Sequence, residues 1–348
     1  MADCFSIGTT EIGGPHTYVI GELSANHCGS IEHAKETIRS IAASGADAVK
    51  LQTYTPNTMT IDCRRDEFTV GEGTLWEGRT LYDLYEEAHT PWDWHEQLFK
   101  LANELGMDCF STPFDKTAVD FLETLDPPCY KIASFELVDL PLIEYVASKG
   151  RPIIMSTGMG TLAEISDAVA VIKKAGVPLA LLKCTSAYPS PPESMNLRTI
   201  PHLAEAFDVP AGLSDHTLGI SVPVAAVALG ACIIEKHVTL SRNDPGPDSA
   251  FSLEPHEFKQ LVDSVRVTEK SLGNVNYTLT EKEEASKVFR RSLFVVVDTK
   301  AGEPFTDQNV RSIRPGNGIA PKHFERVLSR RAAIDIERGT PLDEGHIS

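Results

Sequence analysis

Short apolar runs alternate with longer amphipathic stretches from Thr17 to about Leu272. Runs of four to eight apolar residues read as buried strands, and the stretches between them carry the period of a helix. Eight strands are predicted: Tyr18–Leu23, Ala48–Thr53, Met107–Ser111, Tyr130–Ala133, Pro152–Ser156, Ala180–Cys184, Val209–Leu213 and Ala231–Glu235. Predicted helices include Ile31–Ser44, Thr90–Leu105, Ala163–Ala175 and Val222–Leu229, each followed by a glycine suited to a helix stop. Eight strand-then-helix units over about 250 residues imply an α/β chain built as a (β/α)8 barrel. A doubly wound open sheet is the alternative, but no glycine-rich dinucleotide fingerprint follows any strand.

Two departures from this rhythm matter. Between Thr53 and Thr90 lies a long, weakly periodic segment rich in Thr, Asp, Glu and Gly. It follows a strand, so it emerges at the mouth of a barrel, and loops of this length are uncommon unless functional. It reads as part of a substrate wall, or else as a packing or interface insert. The second departure comes after Gly273. Residues 273–288 are polar and read as a linker between a barrel of residues 1–272 and a small domain of residues 289–348. That domain has short strand-like runs at Leu293–Val297 and Ala332–Ile336, and its core is thin for its size.

Composition changes the picture mainly by exclusion. A net charge of -17 argues against a nucleic-acid partner held by phosphate contacts, though not against a small anion met by a local lysine cluster. The seven cysteines form no C-x-x-C pair, and Cys109, Cys129, Cys184 and Cys232 sit in apolar runs as small hydrophobes. A reducing cytoplasmic setting suits that pattern better than a disulfide framework. The first fifteen residues do not read as a signal peptide, and no apolar run approaches the roughly 20 residues of a membrane span.

Candidate chemistry concentrates at strand ends, where barrel active sites lie. The first strand ends in Glu22, then Ser24, Asn26 and His27; the second carries Lys50 and Gln52; the third ends in Ser111-Thr112-Pro113. The fourth carries Lys131 and ends at Ser134 and Glu136; the fifth ends in Ser156-Thr157-Gly158; the sixth carries Lys183 and ends in Thr185-Ser186-Ala187-Tyr188. Ser214 and His216 share one face of the seventh, as Glu235 and His237 share one face of the eighth.

Lys50 and Lys131 interrupt otherwise apolar strands. They read as a cradle for a small dianion, helped by Ser134, Ser156 and the Gly158 N–H. An internal salt bridge to Glu22 or Glu235 and a Schiff-base lysine are the other readings. His216 and His237, at equivalent ends of adjacent strands, read as metal ligands or as histidines hydrogen-bonded in the core. Two imidazoles suit Mn²⁺, Fe²⁺, Co²⁺ or Zn²⁺ better than Mg²⁺. His27 and His89 read as surface or loop residues, and Trp92 and Trp94 as packing. Arg314, before Pro315-Gly316-Asn317-Gly318, stands on an exposed corner, either as a finger for an active site or as a solvated arginine.

These motifs jointly resemble the sialic acid synthases, which condense phosphoenolpyruvate with an amino-sugar aldehyde. The resemblance runs through Glu22-Leu-Ser-Ala-Asn-His27, Val49-Lys-Leu-Gln-Thr53, Tyr130-Lys-Ile-Ala-Ser134, Ser156-Thr-Gly158, Cys184-Thr-Ser-Ala-Tyr-Pro189, Gly212-Leu-Ser-Asp-His-Thr217, Ile234-Glu-Lys-His237 and Pro245-Gly-Pro-Asp248. The C-terminal part resembles that family's antifreeze-like (SAF, β-clip) domain through Arg314-Pro-Gly-Asn-Gly318. Leu23-Ser-Ala-Asn-His27, the long loop with Trp76 and Thr80-Leu-Tyr-Asp-Leu-Tyr85, and Asp248-Ser-Ala-Phe-Ser-Leu253 resemble the pseudaminic-acid-forming branch. Cys28 stands where the family's pattern does not lead one to expect a cysteine.

The resemblance implies that His216 and His237 hold Mn²⁺ or Mg²⁺, with Co²⁺ an alternative. It implies that Lys50, Lys131, Ser134, Ser156 and Ser214 hold phosphoenolpyruvate, and that Glu22, Gln52, Tyr188 and Asp248 contact the open-chain sugar. It places Arg314 of a partner subunit at an N-acetyl group, in a domain-swapped homodimer. The sugar expected is 2,4-diacetamido-2,4,6-trideoxy-altrose, with N-acetylmannosamine-type substrates as the alternative. Trp76, Tyr82 and Tyr85 are candidates for an apolar wall beside it. A barrel making keto sugars from phosphorylated aldoses needs a second basic cluster, which the sequence lacks. A carbohydrate-binding protein on an inactive barrel is the non-enzyme reading.

Overall fold

The computed structural model describes residues 4–348 except Glu72 and Thr74. The chain forms two compact units, Met1–Gly273 and Asn274–Ser348.

The first unit opens with an antiparallel pair, β1 (Phe5–Ile7) and β2 (Thr10–Ile12). Eight parallel strands follow: β3 (Tyr18–Glu22), β4 (Ala48–Thr53), β5 (Asp108–Pro113), β6 (Tyr130–Ile132), β7 (Ile153–Ser156), β8 (Leu179–Cys184), β9 (Ala211–Asp215) and β10 (Ile233–His237). They close in sequence order, with β10 paired to both β9 and β3, into the expected barrel. Helices such as Ile31–Ala43, Trp92–Glu104, Leu162–Ala175 and Ser221–Ala228 occupy the connections. The helix Leu162–Ala175 shows how local the signals are. Thr161 and Glu164 form a capping box at its start, and Gly176 ends it at φ 73°.

Period-two alternation divides each strand between two cores. Val19, Val49, Leu51, Ile153, Met155, Leu213 and Ile234 point outward and pack under the helices. Tyr18, Ile20, Ala48, Phe110, Ile154, Ala180, Leu182 and Ile233 point inward and fill the barrel's lower half. Ile7 and Ile12 of the β1–β2 pair join this inner cluster and close its floor. Gly212 is required for tight strand packing, since a Cβ there would lie 2.4 Å from the Ile233 carbonyl oxygen. The next inward positions, one step toward the mouth, are Glu22, Lys50, Lys131, Ser156, Ser214 and Glu235. The polar layer thus rests directly on the apolar one.

The strands β9 and β10 run two residues beyond their predicted ends, to Asp215 and His237. Their last residues are polar yet buried, so hydrophobicity alone ends them too early. The segment after β4 is more ordered than its weak periodicity suggests. It holds a short helix Pro56–Met59 and a helix Leu81–Ala88 capped by the Thr80 hydroxyl.

The second unit holds an antiparallel pair, β11 (Ser292–Val295) and β12 (Val310–Ile313). Its core comprises Leu293, Val295, Phe305, Val310, Val327, Ala332, Ile336 and Leu342. The run Ala332–Ile336 makes isolated bridges rather than a strand. A short helix, Glu281–Ser286, lies within residues 273–288.

Candidate active site

A cavity of about 430 Å³ opens at the barrel mouth. Eleven of the predicted site residues line it: Glu22, Lys50, Gln52, Lys131, Ser134, Ser156, Tyr188, Ser214, His216, His237 and Asp248. Gly158 stands behind the wall, where its N–H donates to Ser134 Oγ at 3.0 Å. A Cβ at Gly158 would meet Ser186 Oγ at 2.4 Å and Ser134 Oγ at 2.7 Å, so a larger residue would have to displace both hydroxyls. Arg314 belongs to the other unit, where it is exposed.

The floor is an ion-paired cluster. Lys50 Nζ lies 3.0 Å from Glu22 Oε1 and 3.2 Å from Glu235 Oε1, and Lys131 Nζ lies 3.5 Å from the same Glu235 oxygen. Lys131 also donates to Ser156 Oγ at 2.7 Å, and Ser214 Oγ donates to Glu235 Oε1 at 2.9 Å. These are the carboxylates named above as internal partners for the lysines. Two lysines and two carboxylates, all at most 3% exposed, make a formally neutral floor that still faces the cavity. Burial pushes the Glu22 carboxyl up, but His237, Lys50 and Lys131 outweigh it and hold it well below the usual carboxylate range. Burial likewise opposes ionisation of Glu235, and Lys131 and Lys50 overcome it. Burial lowers the Lys131 ammonium below its ordinary value, whereas for Lys50 the two carboxylates prevail over burial and raise it.

Glu22 connects the floor to the histidine wall. Its Oε2 lies 3.1 Å from His237 Nε2, while Gln52 Nε2 donates to its Oε1 at 2.9 Å and to Ser24 Oγ at 2.9 Å. Ser24 Oγ donates in turn to Asp248. The His216 and His237 rings stand 5.2 Å apart, with Tyr188 4.5 Å from His216. His216 Nδ1 faces the Thr185 carbonyl oxygen at 3.2 Å and Cys184 Sγ at 3.8 Å.

Buried polar atoms are normally satisfied. Among the described residues, seven buried side-chain atoms have no hydrogen-bond partner, and those of Thr112, Glu136, Glu235 and His237 belong to this cavity's lining. Such atoms mark where ligand atoms belong. His237 Nδ1 is one of them, 3.8 Å from Asp248 Oδ2, and burial lowers the His237 pKa toward the neutral imidazole that a metal requires. The donor set of His216, His237 and the nearby Asp248 carboxylate therefore fits a divalent ion. A separate set, Cys28, His33 and Asp244, brings three ligand atoms within 4.8 Å of one another.

Above the polar floor the wall is apolar. Tyr54, Met59, Val70, Trp76, Leu81, Leu84 and Tyr85 line it, all from the segment after β4. Trp76 Nε1 donates to the Pro247 carbonyl oxygen at 3.1 Å, and its ring lies 5.7 Å from Tyr188. Tyr82 is not among the lining residues.

The structure corrects several further expectations. His27 is not a surface residue: it is 1% exposed, bonds the Ala88 carbonyl oxygen at 3.1 Å and meets Trp94 edge-on at 5.6 Å. Cys184 is more than a core hydrophobe, because it lines the cavity beside His216. Its thiol is brought to about 7, burial raising it and the His216 contact more than offsetting that. Lys183 falls on the outward face of β8 and donates to the Cys184 carbonyl oxygen at 2.6 Å. Lys236 is fully buried and paired with Asp215 away from the cavity. Trp92 does pack, stacked on Phe121 at 4.7 Å.

The chain matches the NeuB family over residues 37–277 and the SAF domain over residues 290–348. It is 46% identical over 328 residues to a pseudaminic acid synthase of Campylobacter jejuni, covering 94% of this chain and 95% of the relative. It is 36% identical over 336 residues to the N,N'-diacetyllegionaminic acid synthase of Legionella pneumophila, covering 95% of this chain and 94% of that one. Among solved structures, an N-acetylneuraminic acid synthetase of Leptospira borgpetersenii in complex with citrate superposes with a TM-score of 0.73. It has 31% identity and covers 82% of this chain and 95% of its own.

Proposed function

The chain belongs to the NeuB family, and from that membership we propose that it condenses phosphoenolpyruvate with 2,4-diacetamido-2,4,6-trideoxy-altrose, the reaction of a pseudaminic acid synthase. The product is a nine-carbon sialic-acid-like sugar, and phosphate leaves by C–O cleavage. The observation that carries this reading is the facing of two groups across one cavity: Lys50 and Lys131 with their serines, and His216 with His237. The first group suits an anionic three-carbon donor, and the second suits a metal beside an aldehyde. The higher identity to the pseudaminic than to the legionaminic relative, and the apolar wall, favour a 6-deoxy sugar.

Phosphoenolpyruvate rests on the floor, where Lys50, Lys131, Ser134, Ser156 and Ser214 donate to its carboxylate and phosphate. The Gly158 N–H fixes Ser134. Gln52, Tyr188 and Asp248 orient the open-chain sugar so that its aldehyde carbon meets carbon 3 of the donor. A divalent ion held by His216 and His237, Mn²⁺ or Mg²⁺ with Co²⁺ as an alternative, supplies Lewis-acid polarisation of the aldehyde when bound. Attack by carbon 3 leaves negative charge on the former aldehyde oxygen and positive charge at carbon 2; water adds at carbon 2, and the proton it loses balances the one taken up by that oxygen. Glu22 stabilises that charge and accepts a hydrogen bond from the water. Lys50 and Lys131 favour the charged carboxylate, which suits it to orient the water or take its proton. The tetrahedral intermediate then expels phosphate.

The same reading makes the protein a cytoplasmic homodimer in which Arg314 of the partner subunit reaches the sugar's N-acetyl group. Free cysteines throughout the described chain suit a reducing compartment. The reaction is tested with phosphoenolpyruvate labelled with heavy oxygen in the bridging position. Label in the released phosphate supports it; label retained in the sugar product contradicts it.

A further inference from the structure

One donor cluster lies outside the machinery above. Cys28, His33 and Asp244 are each half-buried, so their ligand atoms remain within reach of solvent. Cys28 Sγ is 3.9 Å from His33 Nε2, and His33 Nε2 is 3.5 Å from Asp244 Oδ2. In a tetrahedral zinc site, bonds of ~2.3 Å to sulfur and ~2.0–2.1 Å to nitrogen or oxygen hold neighbouring donors roughly 3.3–3.5 Å apart. The sulfur–nitrogen and nitrogen–oxygen pairs need to close by at most roughly half an ångström to reach that spacing, and all three ligand atoms lie within 4.8 Å of one another.

Each ligand sits on a separate support. Cys28 holds a left-handed backbone at φ 49°, and its sulfur lies beside Gly246, where an added Cβ would be 3.5 Å away. His33 stands in the first turn of the helix Ile31–Ala43, whose start is capped by Ser30. Asp244 Oδ2 accepts the Ser241 N–H at 3.1 Å. An ion here would join the end of β3 to the loop that carries Asp248, whose carboxylate already receives Ser24 Oγ from the same strand end.

We propose that Cys28, His33 and Asp244 form a second metal site, for zinc or another thiolate-preferring divalent ion, that staples the turn after β3 to the loop bearing Asp248. Binding forms the sulfur–metal bond and releases the thiol proton to solvent. The soft thiolate, with imidazole and one carboxylate, favours zinc or cobalt over magnesium and leaves a fourth position for water. The site stands on these side chains alone and does not depend on which sugar the barrel takes.

Full-length protein stripped with a chelator is titrated with Co²⁺ and followed by near-ultraviolet thiolate-to-cobalt charge transfer. The wild type is expected to show the band, Cys28→Ser to lose it, and Cys184→Ser and His216→Ala to keep it. The Cys184 variant is needed because that thiol adjoins His216. No band in the wild type, or a band lost with Cys184→Ser but kept in Cys28→Ser, overturns the site. If Cys28→Ser does not fold, alkylation of Cys28 in the wild type is followed by peptide mapping with and without Zn²⁺. Protection supports the site, and an unchanged rate overturns it.

Discussion

His237 Nε2 lies 3.1 Å from Glu22 Oε2, and the two residues are register partners on neighbouring barrel strands. Parallel pairing of β10 with β3 thus sets the carboxylate that also holds Lys50 directly beside the histidine wall. Glu22→Gln keeps the shape and removes the charge. It is expected to lower kcat by about 10²–10³-fold, the usual effect of losing a preorganised electrostatic group. The KM for phosphoenolpyruvate should change far less, as read by continuous assay of released phosphate. An unchanged kcat would remove Glu22 from the chemistry.

The lysine floor makes a prediction that separates stability from activity. Lys50→Met leaves Glu22 and Glu235 short of a buried counter-charge, at a cost of about 3–5 kcal/mol. Adding Glu235→Gln should recover much of that loss in urea unfolding while phosphate release stays abolished. Equal stability of the single variant and the wild type would mean that the ion pairs contribute nothing to the fold.

The apolar wall sets the sugar preference. Trp76→Ala and Tyr85→Ala are expected to lower kcat/KM for the 6-deoxy sugar about 10–200-fold, the range over which a hydrophobic pocket discriminates a methyl-sized group. The KM for phosphoenolpyruvate should hold steady, because its contacts lie on the floor. A loss shared by both substrates would assign these residues to folding instead.

His95 provides a pH test of stability remote from the chemistry. It is buried, bonded to Thr53 Oγ1 at 2.8 Å, and burial lowers its pKa to about 4. An unfolded histidine titrates at about 6.5, so the unfolded chain takes up a proton first as pH falls. This contribution is therefore fully present above about pH 6.5 and is lost as pH falls toward 4, by about 3 kcal/mol in all. His95→Gln should show a shallower loss of stability between those limits. Parallel urea profiles for the two proteins would refute the assignment.

Much of this site was legible because strand alternation is strict. Once eight strands were placed, Lys50, Lys131, Ser156 and Ser214 had to share the interior with Glu22. What escaped did so for physical reasons. The β1–β2 pair is three residues a strand and contributes chiefly Ile7 and Ile12, too little pattern to see. Cys184 looked like a core residue because its apolar run gives no sign that the position above Leu182 opens into the cavity. His27 looked like a surface residue because its partners, Ala88 and Trp94, lie more than sixty positions away. Trp76 and Tyr85 line the cavity as the sequence led one to expect, whereas Tyr82 of the same segment does not.

Paired turnover identifies the sugar. With phosphoenolpyruvate and metal held constant, kcat/KM is compared for 2,4-diacetamido-2,4,6-trideoxy-altrose and N-acetylmannosamine. A preference of at least about tenfold for the first is expected, in line with an apolar wall facing a deoxygenated carbon. Equal turnover, or a preference for N-acetylmannosamine, would contradict it.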